Sequence, residues 1–569
     1  MSTELNDKVL EEAAQPLGDS GSITDAPLSK KSTTKPLEDV NAKTNKVGRE
    51  MYFACYIPEG YHINWGGVWQ VKRNKKDEEV FIPICSIRIM VTGRFEGDDG
   101  PHMVEITYID KSTKDSFIVP MFSMLGTKAF CDYLIPKNIR VTELNLKSLF
   151  EFLNACIDAN QNEAGSAFKT GFSFSTCGWK DAGCTKFVAG SRLFIDKNGR
   201  LDEQECIYGD EESKDVFNKR GSLKAWVAGV KPIIKYPNSR FIVYSAFSAL
   251  LFKVLSVNSF SVDIYGGIKG AVNSESGSGK TTCCVLAMSG IGNMDAEYGP
   301  SLFNECNSTQ NYIINTMAKY PDIPTFFDES TKLSNTDREA LAYNVSNSVG
   351  RGRANSTGGT QKQQPKRGVA LVTGERKLIS DSGNTGSKVR VQEVSGGVGV
   401  PNLSNEVHEA NVTCLNNSGF ILELFLDEFF RSRSIIKQYF NDARKRYVDS
   451  TDNDITKRKA AYFAAIETSG FLMEKVFSEI DIPVVNPQNV VKTIWDANIL
   501  SEEIKPLWQM ALSDVWDWYN VNRKTYFNDN QEQKETYGWV GSSGGEAVLN
   551  IFKLPIQAVS KLNLILQLR

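Results

Sequence analysis

Short runs of β-branched and aromatic residues alternate with turn-forming residues from Met51 to about Pro136. The runs FIPICSIRIMVTGRF, MVEITYI and DSFIVPMF have the length and composition of β-strands. After them, VTELNLKSLFEFLNACIDAN carries apolar residues at helical spacing, and GFSFSTCGWKDAGCTKFVAGSRLFI returns to strand-like runs. This pattern predicts a β-rich N-terminal domain over residues 48–210.

The pattern changes in the second half of the chain. LKAWVAGVKPIIKYPNSRFIVYSAFSALLFKVL predicts helices with a break near Pro237, and SVDIYGGIKGAVNS predicts a strand with a Gly-rich turn after it. Two more apolar strands follow in IPTFFDES and GVALVTGERKL. The segment TQNYIINTMAKY, which precedes IPTFFDES, has apolar residues at helical spacing. We therefore predict an α/β core over residues 211–400.

From about Pro401 onward, apolar residues recur at three and four spacing, which indicates helices. The clearest examples are GFILELFLDEFF, RKAAYFAAIETSGFLMEKVF and EIKPLWQMALSDVWDWY. We predict a helical C-terminal region over residues 401–569.

Composition narrows the class of protein. Residues 1–47 are polar, Pro-containing and nearly free of aromatic residues, so we predict a disordered tail. The chain contains no apolar stretch long enough to span a membrane. The 11 Cys residues form no CxxC pair and only 3 His residues are present, which indicates reduced thiols rather than zinc sites. We expect a cytoplasmic protein, and its net charge of −3 means that any nucleic-acid contact needs a local basic patch.

The segment SESGSGKTT lies between an apolar strand and the apolar helix start CCVLAMSG. In a phosphate-binding loop, successive backbone N–H groups surround an anion, a Lys contacts the β- and γ-phosphates, and a Thr hydroxyl binds Mg²⁺. Lys280 and Thr281 occupy those two positions, and Ser274 replaces the Gly that usually opens the motif. We therefore predict ATP and Mg²⁺ as cofactors. The predicted nucleotide-binding residues are Ser274, Glu275, Ser276, Gly277, Ser278, Gly279, Lys280, Thr281 and Thr282.

An acidic pair, Asp328 and Glu329, ends the apolar strand of IPTFFDES. Such a pair suits a site in which Asp328 holds Mg²⁺ together with Thr281 and Glu329 orients the attacking water. A solvated strand end is the alternative interpretation, and the GKT loop upstream favours the catalytic one. Thr373, at the tip of the next strand, is a candidate contact to the γ-phosphate, although an ordinary strand-to-loop Thr fits the pattern equally well.

The segment RGRANSTGGTQKQQPKR contains several basic residues and no acidic residue. A Gly-rich basic loop suits the DNA backbone, because phosphate contacts need positive charge rather than fixed geometry. We predict single-stranded DNA as the partner of this loop, and a solvated loop is the alternative. The basic residues are Arg351, Arg353, Lys362, Lys366 and Arg367.

The run GSKVRVQEV predicts a short strand that contains Arg390. A lone Arg within a strand is unusual unless it faces a charge. We therefore consider Arg390 a candidate arginine finger that acts on the ATP site of a neighbouring subunit.

Together these motifs resemble the domain of unknown function 927 proteins of phages, plasmids and staphylococcal cassette elements, some of which are related to the MCM helicases. The resemblance is carried by CGWKDAGCTKFVAG, SESGSGKTT, FFDES, GRGRA, LVTGE and SKVRVQEV, and it covers the chain from about Tyr56 to at least Phe477. It implies a P-loop NTPase core of AAA+-like type, a homo-hexameric ring, and DNA threaded through that ring. Members also tend to end in a winged helix, and here we expect that module to be incomplete, degenerate or absent.

The resemblance implies an ATP-dependent DNA helicase or translocase that serves the replication of a phage or other mobile element. It assigns Lys280 and Thr281 to the loop and Asp328 and Glu329 to the acidic pair. Thr373 matches the sensor position and Arg390 matches the arginine finger. Two alternatives remain open. One is a DNA-binding initiator or loader that uses ATP as a switch, and the other is a nucleic-acid packaging or defence ATPase.

Overall fold

The computed structural model describes residues 43–44, 49–98, 101–110, 112–121, 127–139, 143–210, 212–267, 278–307, 310–346, 366–380, 385–502, 538–543 and 546–551. The chain divides into two compact units. The first comprises Met1–Glu96 and Pro101–Gly171, and the second comprises Gly97–Gly100 and Phe172–Arg569.

The first unit is rich in strands, as the sequence predicted. Its strands are β1 (Lys43–Thr44), β2 (Glu50–Tyr52), β3 (Cys55–Tyr56), β4 (Tyr61–Asn64), β5 (Gly67–Arg73), β6 (Glu79–Cys85), β7 (Arg88–Gly97), β8 (Met103–Asp110) and β9 (Thr113–Pro120). Its helices are α1 (Thr127–Leu134), a 3₁₀ turn (Ile135–Lys137) and α2 (Glu143–Asn160), and β10 (Lys169–Phe174) carries the chain into the second unit.

Helix α2 buries one face in the core of the first unit. Antiparallel pairing joins β4, β5 and β6, and likewise β7, β8 and β9. The last residue of the helix, Asn160, accepts a hydrogen bond from the Tyr56 N–H at 2.7 Å and donates one to the Tyr56 carbonyl at 2.8 Å. The buried residues of α2 recur at the three and four spacing that predicted it: Leu146, Leu149, Phe152, Leu153, Cys156 and Ile157.

The second unit combines strands with long helices. Its strands are β11 (Gly178–Trp179), β12 (Lys186–Ala189), β13 (Arg192–Asp196), β14 (Leu201–Glu205), β15 (Ile207–Tyr208), β16 (Phe260–Tyr265), β17 (Phe303–Glu305), β18 (Thr325–Asp328), β19 (Val369–Gly374), β20 (Val391–Ser395), β21 (Gly538–Ser543) and β22 (Glu546–Ile551). Its helices are α3 (Leu223–Ile234), α4 (Pro237–Ser248), α5 (Phe252–Leu255), α6 (Lys280–Ser289), α7 (Gln310–Lys319), α8 (Asn335–Ser346), α9 (Thr385–Val389), α10 (Ser404–Asn416), α11 (Ile421–Asp449), α12 (Asp454–Glu479) and α13 (Pro487–Glu502). Short 3₁₀ turns cover Ala249–Leu251 and Ser330–Lys332.

A five-stranded sheet in the order β17, β18, β19, β16, β20 forms the centre of the second unit. Every pairing in it is parallel. Strands of a parallel sheet are covered on both faces, so they read as continuous apolar runs. β19 is buried at every position and β16 at every position except its last. This mixed α/β architecture agrees with the predicted fold class.

The strands β11 to β14 belong to the second unit, whereas the sequence placed them in the N-terminal domain. They share one hydrophobic core with the central sheet and the helices. Trp179 illustrates this packing: its ring centroid lies 5.1 Å from that of Phe429, and its indole N–H donates to the Leu250 carbonyl at 2.7 Å. The first compact unit therefore ends near residue 171 rather than near 210. Whether residues 48–210, 211–400 and 401–569 act as separate functional domains stays a prediction.

The helical prediction for the C-terminal region holds through α10 to α13 and fails for β21 and β22. These two strands form an antiparallel hairpin with Ser543 paired to Glu546. In the sequence Gly544 and Gly545 separate them, and a Gly-Gly pair between two apolar runs is a hairpin signal that the helical pattern obscured. EIKPLWQMALSDVWDWY and the proposed incomplete winged helix lie largely outside the described residues, as do residues 1–42 of the predicted tail.

Two predictions from composition can be compared with the structure. All 11 cysteines are free thiols, and all but Cys131 are buried. No helix within the described ranges is both long and apolar enough to cross a membrane.

Asp263 is a fully buried carboxylic acid in the middle of β16. Its Oδ2 atom accepts a hydrogen bond from the Leu378 N–H at 2.6 Å. Burial raises the pKa of Asp263 to about 8, and the charge of Glu393 acts in the same direction. The Leu378 hydrogen bond and the charges of Lys377 and Arg338 lower the pKa but do not offset burial. Asp263 is therefore protonated in the folded protein at neutral pH.

We expect Asp263→Asn, which imitates the protonated acid, to become more stable relative to wild type as the pH rises. Between the ordinary pKa of 3.8 and about 8, the unfolded chain has lost this proton and the folded protein keeps it, so the wild-type free energy of unfolding falls with pH. The loss is complete above about pH 8. Thermal melting across this pH range measures the difference. Asp452→Asn, at an exposed position, should follow wild type throughout, and parallel pH curves for Asp263→Asn and wild type would contradict the assignment.

Candidate functional site

Three parallel strands end at one edge of the central sheet. β18 ends at Asp328, β19 at Gly374 and β16 at Tyr265, and the three are direct neighbours in that order. In parallel sheets the carboxyl ends of the strands meet at the same edge, which is where ligands bind in α/β proteins. The fold thus brings the end of the predicted phosphate loop, the acidic pair and Thr373 together.

The last residues of the predicted phosphate loop lead directly into helix α6, which begins at Lys280. Gly279 has a left-handed backbone with φ of 78°. A Cβ atom at this position would lie 2.9 Å from Cγ2 of Val398 and 3.1 Å from Cγ2 of Val407. Both the backbone conformation and the close packing therefore favour Gly. Four residues of the predicted loop lie outside the described residues: Ser274, Glu275, Ser276 and Gly277.

A turn that follows β20 holds the end of this loop in place. The Val398 N–H donates to the Ser278 carbonyl at 3.0 Å, and the Gly396 N–H donates to the Tyr265 carbonyl at 2.9 Å. At Gly397, with φ of 56°, a Cβ atom would lie 2.7 Å from the Lys280 amide nitrogen. This contact was not predicted from the sequence, although the Gly-Gly-Val-Gly run after β20 marks a turn.

The Lys280 side chain lies against the sheet edge and is only 10% exposed. Its ammonium group donates to the Gly266 carbonyl at 3.2 Å and forms an ion pair with Glu375 at 3.1 Å. Glu375 was not among the predicted site residues.

The carboxylate of Asp328 accepts hydrogen bonds from two hydroxyl groups at the same oxygen. Thr281 Oγ1 donates to Asp328 Oδ1 at 3.0 Å, and Thr373 Oγ1 donates to it through a short hydrogen bond. A hydroxyl oxygen and a carboxylate oxygen this close together form a donor set that fits Mg²⁺, which prefers oxygen ligands. The structure therefore brings Thr281, Asp328 and Thr373 together, and their predicted roles at Mg²⁺ and the γ-phosphate stay predictions.

Glu329 follows Asp328 with a left-handed backbone, φ 62° and ψ 58°. Its N–H donates to Thr373 Oγ1 at 3.1 Å. A non-Gly residue in this conformation is strained, and such strain is found more often at functional sites than elsewhere. The Thr373 hydroxyl thus contacts both members of the acidic pair.

Thr282 lies one residue further into α6, where it is 7% exposed. Its neighbours Cys283 and Cys284 are fully buried, and burial raises the pKa of Cys283 to about 12. These two thiols pack in the core and stay protonated at neutral pH.

A family model matches residues 61–366, which is more than half of the 569 residues. The chain belongs to the family called Domain of unknown function (DUF927). The matched range includes the predicted phosphate loop and the acidic pair and ends before Thr373, Glu375 and Arg390.

This DUF927 chain shares its fold with a solved helicase. The SCCmec type IV Cch active helicase is 18% identical, with a TM-score of 0.59 over 89% of this chain and 90% of that one. The apo A form of the NrS-1 C-terminal region is 10% identical over 74% of this chain and 90% of that one, but its TM-score of 0.22 carries no argument. No curated protein matches significantly.

Arg390 lies in the turn before β20, so the prediction that it sits inside a strand was wrong. The residues before it in GSKVRVQEV form α9 instead. The Arg390 carbonyl accepts from the Ser261 N–H at 2.9 Å, which places Arg390 at the amino end of β16. Lys280 is near the opposite, carboxyl end of the same strand. The guanidinium carbon of Arg390 lies 5.7 Å from the ring centroid of Tyr343.

Two members of the predicted DNA-binding loop form hydrogen bonds with other parts of the protein. The Lys366 side chain is buried, and its ammonium group donates to the Asn344 carbonyl at 3.2 Å. Arg367 binds the buried Asp322 through two hydrogen bonds of 2.5 and 3.0 Å. The buried Lys366 side chain is not available for DNA contact in this structure, whereas DNA contact by Arg367, which is 25% exposed, stays a prediction. The other three, Arg351, Arg353 and Lys362, lie outside the described residues.

We expect Gly279→Ala to destabilise the protein by about 2–4 kcal/mol, the sum of the left-handed backbone penalty and the overpacking against Val398 and Val407. Gly266→Ala is a matched control, because its φ is 65° and an added Cβ meets no atom within 4 Å. This control should lose only the backbone term, about 1 kcal/mol. Chemical denaturation compares the two variants. Equal losses would show that the packing against Gly279 contributes nothing.

Proposed function

We propose that this chain is an Mg²⁺-dependent P-loop ATPase of AAA+-like type that unwinds or translocates DNA for a phage or other mobile element. One observation carries the proposal: Asp328 Oδ1 accepts hydrogen bonds from both Thr281 and Thr373 at the sheet edge where Lys280 begins α6. These side chains come from three separate elements, and their types are those that phosphate transfer from Mg–ATP requires. The fold shared with a solved helicase agrees with this proposal.

In the proposed site, backbone N–H groups at the start of α6 bind the phosphates and Lys280 contacts the β- and γ-phosphates. Thr281 and Asp328 would hold Mg²⁺, which would supply positive charge beside the phosphate oxygens. Glu329 orients the attacking water. Because β19 lies between β16 and β18, Thr373 fixes the Asp328 carboxylate and the Glu329 main chain relative to Lys280.

The DNA partner and the hexameric ring belong to the same proposal. Of the predicted basic loop, Arg351, Arg353 and Lys362 remain candidates for contact with the DNA backbone. The roles of initiator, loader, packaging ATPase or defence ATPase differ in their dependence on hydrolysis and strand separation, so the experiment below distinguishes them.

We expect DNA-stimulated ATP hydrolysis by wild type, and a loss of about a hundredfold or more in both Lys280→Ala and Glu329→Gln. Glu329→Gln should still bind ATP, because this change removes the group that orients water and leaves the phosphate contacts. The measurement is the steady-state ATPase rate with and without single-stranded DNA, followed by strand displacement.

The exposed Glu297→Gln is the control and should keep the wild-type rate. Absence of hydrolysis by wild type under all conditions would reject the motor and leave a nucleotide-gated binding protein. Hydrolysis without strand displacement would favour the loader, packaging or defence roles.

In the proposed function, Arg390 acts on the ATP site of an adjacent subunit. β16 has six residues, which at a rise of about 3.3 Å per residue separate its two ends by roughly 17–20 Å. Since Arg390 lies near the amino end and Lys280 near the carboxyl end, we propose that Arg390 completes the site of an adjacent subunit.

We expect Arg390→Ala and Lys280→Ala each to be inactive alone and to recover activity when mixed. In a mixed assembly, an Arg390→Ala subunit supplies an intact phosphate loop and a neighbouring Lys280→Ala subunit supplies Arg390. Random mixing in equal amounts gives this combination at about a quarter of the interfaces. The measurement is the ATPase rate against mixing ratio. An active Arg390→Ala protein, or mixed assemblies without recovered activity, would remove Arg390 from the site.

A further inference from the structure

Glu375 contacts the ammonium group of Lys280 from the turn after β19. Its Oε2 atom lies 3.1 Å from Lys280 Nζ, and the two side chains are 35% and 10% exposed, respectively. Lys280 and Glu375 are 95 positions apart in the sequence, so the contact is a product of the fold. No role for Glu375 follows from the functions assigned above.

The main chain around Glu375 is held in place. Its N–H donates to Thr331 Oγ1 at 2.7 Å, within the 3₁₀ turn that follows Glu329. Three residues later, the Leu378 N–H donates to buried Asp263 at 2.6 Å. Gly374 packs against Ser330 so closely that it has no room for a side chain. The Glu375 side chain can therefore move while the main chain that carries it stays in place.

A carboxylate and a phosphate are both anions with oxygen acceptors, so they compete for one ammonium group. In a phosphate-binding loop that ammonium group contacts the β- and γ-phosphates. Glu375 occupies it in a partly buried setting, where a charge pair is stronger than in water. A bound nucleotide that recruits Lys280 must first separate it from Glu375.

We propose that Glu375 is a competing counter-ion, a positioning residue that holds Lys280 between catalytic cycles and lowers the affinity of the site for nucleotide. The phosphates displace the Glu375 side chain on binding. The side chain returns to Lys280 as they depart, which accelerates the release of ADP. This inference rests on the proposed function, because it requires that Lys280 binds phosphate.

The experiment measures the Kd of fluorescent ADP with Mg²⁺ for the full-length protein and for Glu375→Gln. Glutamine keeps the size of the side chain and the backbone N–H that Thr331 accepts, and it removes the negative charge. We expect Glu375→Gln to bind ADP about tenfold more tightly, with a slower dissociation rate. The gain should shrink at high salt, since it arises from the loss of an ion pair.

Glu393→Gln is the matched control. Glu393, in β20, pairs at 2.9 Å with Lys377, which lies two residues after Glu375. Because its ion pair is with Lys377 rather than Lys280, the ADP affinity of Glu393→Gln should equal that of wild type. A purely structural role of Glu375 would lower thermal stability and leave ADP affinity unchanged or weaker, and that result would overturn the inference while the proposed function stands. If neither wild type nor Glu375→Gln binds ADP or ATP, both proposals fail. Binding of ADP or ATP by Glu375→Gln and not by wild type would support both proposals.

Discussion

The carboxylate of Asp328 accepts hydrogen bonds from Thr281 and Thr373, and the rest of the candidate site depends on this constraint. It joins the first turn of α6 to the ends of β18 and β19. The Asp328 carbonyl also accepts from the Cys306 N–H at 2.8 Å, which fixes the strand end on the side of β17. With Asp328 held in this way, the chain turns sharply at Glu329. The strained backbone of Glu329 persists because the Thr373 hydroxyl accepts its N–H.

Much of this arrangement could be predicted from local sequence. The strand, Gly-rich turn and helix order placed Lys280 at a helix start, and apolar runs before Asp328 and Thr373 placed them at strand ends. Parallel pairing then brings such ends together. Local pattern was insufficient where tertiary packing decides. β11 to β14 read as strands of the first domain because a strand pattern does not reveal which core covers it.

Charged residues were the least predictable part of the site. Lys366 and Arg367 were predicted as members of a DNA-binding basic loop, but their partners in the fold are the Asn344 carbonyl and Asp322, which are distant in sequence. The same holds for Glu375, whose partner is Lys280. Burial of a charge is stable only when a partner is present, and a linear sequence does not show which partner the fold supplies. Glycines were more informative than charged residues, because Gly279 and Gly397 both lie where other parts of the chain approach the backbone closely.

The buried contact between Lys366 and the Asn344 carbonyl has a consequence for the evolution of the chain. It fastens the end of α8 to the residues that lead into β19, so the positions on either side of residues 347–365 are held at a fixed separation. Closing a chain between fixed ends costs only about 0.6 kcal/mol more for each doubling of its length. A change in the number of residues between these two points therefore costs little folding free energy, and relatives can differ in length here without losing stability.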